Sequence, residues 1–123
     1  IAYLGFWNWD TNCNFFLLFC SKMELQIMEI LLVITTRNSG KIAIPLMQGL
    51  SRMGVNWGCF FTNDGVELIY DDQCQEALKL ANKAVVCEHS WNTLGNGNDC
   101  PAEMGSQTVN SSMMSEVNQV ISL

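Results

Sequence analysis

The residues with the most chemistry to offer lie in "KAVVCEHSWNTLGNGNDC", residues 83–100, where an apolar run delivers Cys87 into a polar stretch, His89 follows, and Cys100 closes the segment. A cysteine at the end of an apolar strand stands at the rim of a core. It works as a nucleophile only as a thiolate, which needs a cation, a helix N-terminus or a histidine nearby. His89 is the only histidine. In an extended segment positions i and i+2 share a face, roughly 7 Å apart along the backbone, so its imidazole would reach the sulfur. Glu88 and the acidic tail oppose the thiolate, and activation must come from a helix dipole, from His89 or from another subunit.

Two other chemistries use the same residues. Cys87, His89, Cys100 and Asp99 together offer a tetrahedral donor set of the kind zinc accepts, although the chain has no CxxC and the spacing matches no standard zinc module. A regulatory disulfide between Cys87 and Cys100 is conceivable across the glycine-rich loop if their Cα atoms come within roughly 4.4 to 6.8 Å. The plain reading stands beside these, since free cysteine is commonly a small buried hydrophobe. Cys59 in "GCFF" and Cys74 in an amphipathic segment are assigned to packing on that ground.

The elements that must position Cys87 begin at residue 30. "ILLVITT" is a continuous apolar, β-branched run, as expected of a strand buried on both faces. It ends in the polar turn "RNSG", after which Ile42, Leu46, Leu50 and Met53 fall at helical spacing. Pro45 fits only near a first turn, placing the helix start close to Lys41 or later, and Gly54 closes it. A second strand is predicted around Gly58 to Thr62, followed by an "NDG" loop. "DDQCQEALKLANK" reads as a second helix, with Asp71 and Asp72 at its positive end and Lys79 and Lys83 toward the other. "AVVC" is a third buried strand, "SSMMSEV" a short helix and "QVISL" a last strand.

Strands alternating with helices predict an α/β, Rossmann-like fold, a three-layer sandwich around a mainly parallel sheet of about five strands. Reactive groups in such sheets gather at the carboxyl ends of the strands. Three loops meet there: "TTRNSG", "TNDGV" and "CEHSWNTLG".

Composition narrows the class. The chain has 123 residues, 49% hydrophobic and 15% charged, which suffices for one globular core. Its net charge is −6 and no Lys or Arg follows Lys83, so a basic nucleic-acid footprint is absent. "RNSGK" lacks the GxxxxGK[ST] pattern of a phosphate loop, and Ser90 lacks a nucleophile-elbow context, which argues against nucleotide binding and hydrolase chemistry. The apolar run Phe15 to Phe19 is far short of the roughly 18 residues of a membrane span. Six cysteines without a recognisable signal peptide read as thiols of a reducing cytoplasm. Residues 1–27 differ in character from the rest. They read as an upstream extension before a natural start at Met23 or Met28, or as a segment packing Phe6, Trp7, Trp9, Phe15 and Phe16 on the domain or on a neighbouring subunit.

Residues 28–123 resemble the DsrE/DsrF-like family, which includes the TusD-type subunits of bacterial sulfur relays. The resemblance rests on "EILLVITT", "FFTNDGV", the apolar strand ending in Cys87, Gly95 eight residues later, and the closing "EMGSQTV…NQVISL" pattern. It implies a small α/β domain assembled into trimers or hexamers, as a homo-oligomer or with related subunits. It also implies a persulfide on the matching cysteine, Cys87, taken from a sulfur-donor protein and passed to a small acceptor protein, without metal or organic cofactor. The chain departs from the TusD pattern in "CEHSWNTLG", which has a bulky Trp91 and no arginine before the glycine. His89 is expected to substitute for that charge, and Cys100 to act as a resolving thiol that releases the sulfur. The rival expectations are a non-catalytic oligomeric interaction module in which Cys87 is structural, and a Cys/His zinc-binding protein.

Overall fold

The computed structural model describes residues 28–94 and 99–123. The expectations placed on residues 1–27, and on Gly95 and its "GNGN" loop at 95–98, lie outside the described residues. In chain order the elements are strand β1 (Ile30–Ile34), a 3-10 turn (Arg37–Ser39), helix α1 (Gly40–Arg52), β2 (Trp57–Phe61), a 3-10 helix (Asn63–Tyr70), α2 (Asp72–Leu78), β3 (Lys83–Cys87), α3 (Glu88–Leu94), β4 (Glu103–Gly105), α4 (Gln107–Ser115) and β5 (Gln119–Ser122). The strands form one five-stranded sheet in the order β4-β3-β2-β1-β5. Every pairing is parallel, so the predicted α/β architecture is the observed one.

The central strands carry apolar residues on both faces, which is why they read as unbroken apolar runs. On one face Leu32, Ile34, Cys59, Phe61 and Val86 pack against Ala43, Ile44, Met47 and Leu50 of α1, Cys74 and Ala77 of α2, and Trp91 of α3. On the other, Leu31, Val33, Phe60, Val85 and Cys87 pack with Met28 and with Met113 of α4. Each such side chain taken fully out of water contributes on the order of 1.5–3 kcal/mol before entropy is counted. None of the helices among the described residues is long and apolar enough to cross a membrane.

Several elements differ from their sequence-based expectations. The buried stripe of α1 is Ala43, Ile44, Met47 and Leu50, whereas Ile42 and Met53 are exposed, so the helical face is rotated from the one proposed. Pro45 lies inside α1, beyond the first turn. Its missing N–H leaves the Lys41 carbonyl without its helical donor, which is tolerable because both residues are on the exposed side. The "NDG" loop is the start of the 3-10 helix, entered through Asn63 at φ 51°. Gly65 in that helix lies against the Ile34 carbonyl, where a Cβ would collide with backbone.

Helix α2 stops at Leu78, which leaves Lys83 in β3. Asp71, expected near its positive end for its charge, also caps it, the carboxylate accepting from the Gln73 and Cys74 N–H groups at 2.8 and 3.2 Å. The short edge strand β4 was not foreseen, and α4 begins at Gln107 rather than Ser111.

Candidate functional site

Cys87 is the last residue of β3 and immediately precedes α3, so its sulfur sits where the helix begins. The first amides of a helix have no intrahelical acceptor. The Ser90 N–H is one of these, and it donates to the Cys87 sulfur. Three side chains complete the setting: Thr62, immediately after β2; Ser90, on α3; and Gln107, the first residue of α4. The carboxyl ends of β2, β3 and β4 therefore supply the whole arrangement, as parallel α/β sheets favour.

The distances describe a connected polar cluster. Gln107 Nε2 lies 3.6 Å from Cys87 Sγ and 3.1 Å from Thr62 Oγ1. Thr62 Oγ1 and Ser90 Oγ are 3.5 Å apart, and the Asn63 N–H donates to Ser90 Oγ at 2.9 Å. Asn110, one turn along α4, donates from Nδ2 to Gln107 Oε1 at 3.2 Å. Cys87, Ser90, Thr62 and Asn110 are buried, at 3%, 5%, 8% and 8% exposed, whereas Gln107, which joins them, is itself an exposed residue. On the β4 side Gly105 pairs with Cys87, and a Cβ there would press on Val85 and Val109.

Burial pushes the Cys87 thiol up, but hydrogen bonds from the Ser90 N–H, the Ser90 hydroxyl, the Thr62 hydroxyl and the Gln107 amide outweigh it. The net displacement is below the ordinary value of 9.0. Donors aimed at the charged form favour it. The other cysteines behave oppositely. Burial pushes Cys59 well above the ordinary thiol value, with Cys74 adding to the effect. Burial and then Asp71 push Cys74 up to about 12. Burial raises Cys100 against one backbone hydrogen bond from Ala102. Among the described thiols only Cys87 is prepared for ionisation, and the packing assignment of Cys59 and Cys74 agrees with their complete burial.

The other site residues proposed from sequence are not gathered around Cys87. The segment after Cys87 is helical, not extended, and successive i, i+2 side chains on a helix diverge by roughly 200°. His89 is exposed, and its imidazole is not among the groups acting on the thiol. Cys100 is half-buried and packs at the edge of the α1/α2 cluster, whereas Cys87 belongs to the cluster under α4, on the opposite face of the sheet. Cys59, Cys74, Cys87 and Cys100 are all free thiols. Among the described residues no group of three or more His, Cys, Asp or Glu side chains is placed to hold a metal ion, which removes the geometric basis for the zinc reading. Nor is Cys87 an open rim thiol, for all but a few per cent of it is covered.

Sequence reasoning missed Thr62, Ser90, Gln107 and Asn110. Thr62 and Ser90 do lie in two of the three loops picked out as converging, and that convergence was the available signal. The third loop, "TTRNSG", meets the second, the Gly65 N–H donating to the Thr35 carbonyl at 3.3 Å and Arg37 pairing with Glu67 at 2.5 Å, but it supplies none of the groups acting on the sulfur. No family model and no curated protein matches the chain.

Proposed function

We propose that the chain is a sulfur carrier of the DsrE-like kind, holding sulfane sulfur as a persulfide on Cys87. The observation that carries this reading is the convergence of neutral hydrogen-bond donors from three strand ends on one sulfur, with the thiol displaced toward its anion. The electropositive help that a family arginine would give is replaced by an amide at the start of α3 and by side-chain dipoles.

The chemistry is thiol-to-thiol exchange. The Cys87 thiolate attacks the outer sulfur of a donor persulfide, R–S–SH. A new S–S bond forms, the donor's S–S bond breaks, and R–S⁻ leaves with the bonding pair, giving Cys87–S–SH. An acceptor thiolate then attacks the outer sulfur, and Cys87 leaves as the thiolate. The sulfane sulfur keeps its oxidation level throughout, and no external oxidant or reductant is required. A leaving thiolate that is already stabilised departs faster, so the same donors assist loading and unloading. The reading includes donor and acceptor proteins as partners, a trimeric or hexameric assembly and a reducing cytoplasmic setting.

The near-complete burial of Cys87 favours a second reading, an interaction module of the same fold in which this cysteine only packs. Intact mass after brief exposure to a sulfane-sulfur donor separates the two. The carrier gains one sulfur atom that reductant removes, and Cys87→Ser gains none. An adduct retained in Cys87→Ser, or none in the native chain, refutes the carrier.

A further inference from the structure

One buried side chain of the cluster has a polar atom with no partner among the described residues, Asn110 Oδ1. The position of that atom bears on what the sulfur meets. Asn110 Nδ2 donates to Gln107 Oε1, which leaves both hydrogens of Gln107 Nε2 for Thr62 Oγ1 and Cys87 Sγ. A primary amide is nearly symmetric in shape, and half a turn of its plane exchanges oxygen for NH₂. A turn of Gln107 alone gives up the bond from Asn110 and sets NH₂ against NH₂. Keeping that bond requires both to turn together. Gln107 would then present a carbonyl oxygen to Cys87, and Asn110 would leave an NH₂ unpartnered where its carbonyl now lies.

A buried carbonyl short of a partner is better tolerated than a buried N–H short of one, so the present orientation is the favoured one. We infer that Asn110 is a positioning residue, which holds the Gln107 amide with its N–H toward Cys87 and so sets the site to receive a sulfur anion in preference to a neutral thiol. It acts only through Gln107.

The titratable residues of the surrounding elements are Cys59 on β2, Asp64, Glu67 and Tyr70 on the 3-10 helix after it, Lys83 on β3, Glu88 and His89 on α3, and Glu103 on β4, while α4 carries none. None of them is among the groups acting on the thiol, which are all neutral. The orientation of one amide therefore matters here more than it would beside a fixed charge. The inference deepens the carrier reading and rests on Cys87 being a working thiol.

The test is the pH dependence of Cys87 alkylation by iodoacetamide in the full chain, with folding followed by circular dichroism. Gln107→Ala removes the donor, and at neutral pH it is expected to slow alkylation about tenfold, the cost of one hydrogen bond to a charged group. Asn110→Ala frees the amide to turn and slows the reaction in the same direction, by less. Asn110→Leu keeps the volume without a donor or a charge, so it slows alkylation as much as Asn110→Ala does. A packing role predicts otherwise, the near-isostere behaving like the native chain.

In a Gln107→Ala background, Asn110→Ala should change nothing further. An unaltered profile in Asn110→Ala, an equal slowing with and without Gln107, or Asn110→Leu behaving like the native chain overturns the inference. Should Asn110→Ala fail to fold, Asn110→Leu in the two backgrounds decides, since its effect through Gln107 is lost in the second. Failure of the carrier reading shows separately, as amide coupling intact in a chain that takes up no sulfane sulfur.

Discussion

Ser90→Ala is the substitution that separates the site's chemistry from its scaffolding. The Ser90 hydroxyl both donates to Cys87 and accepts the Asn63 N–H at 2.9 Å, where the chain turns through a positive φ of 51°. Truncation leaves that N–H without its acceptor, which costs on the order of 1 kcal/mol at a half-buried site. For a domain of this size that lowers Tm by about 4–8 °C. The same truncation removes one of four donors to the sulfur, and the Ser90 N–H remains.

The thiol therefore moves back toward its ordinary value without reaching the level of a fully apolar site, and alkylation at neutral pH slows about tenfold. The shift also has a stability signature. Cys87 in the folded chain lies below the ordinary 9.0, so it contributes stability that is fully present above the unfolded value and lost as pH falls through the folded one. In Ser90→Ala this window narrows. The assay pairs a thermal melt with alkylation rates across pH, using Cys87→Ser as the blank. A lowered Tm with an unchanged alkylation profile would refute the assignment of Ser90 as a donor to the sulfur and leave it as a turn clamp alone.

Three further outcomes are expected. Gly65→Ala drives a Cβ into the Ile34 carbonyl and should destabilise the domain by about 1–3 kcal/mol in urea unfolding, whereas Gly49→Ala, which meets nothing within 4 Å, should not. Cys59 and Cys74 stay protonated in the folded chain well above the value at which unfolded thiols ionise, so stability is intact below about 9.0 and falls as pH climbs toward about 12. Cys74→Ala should flatten that alkaline slope measured by chemical denaturation, and an unchanged slope would count against it. Cys100→Ser should leave both the Cys87 alkylation rate and any sulfur adduct as they are, because the two thiols lie on opposite faces of the sheet; loss of the adduct would show that Cys100 takes part.

The α/β class, the three central strands and Cys87 as the terminal residue of β3 were legible in the amino-acid order. Buried parallel strands must be apolar on both faces, and "ILLVI", "WGCFF" and the "AVV" before Cys87 announce that locally. The acidic start of α2 was equally local, though the bonds to Asp71 from the amides two and three residues on were not read from it. The edge strand β4 was not legible, for "EMG" is three residues long and partly exposed, and only its pairing with β3 makes it a strand.

Missing β4 hid Gln107, because nothing marks a glutamine until the strand before it aims it at the end of β3. The helical start at Glu88 decided the rest. It turned His89 out to solvent and brought the Ser90 amide and hydroxyl in. The sequence by itself thus determined which cysteine stands at a strand end. Only the tertiary structure determined how that sulfur is held, because its partners come from three strand ends spread between Thr62 and Gln107, and hydrogen bonds across that separation leave no spacing to read.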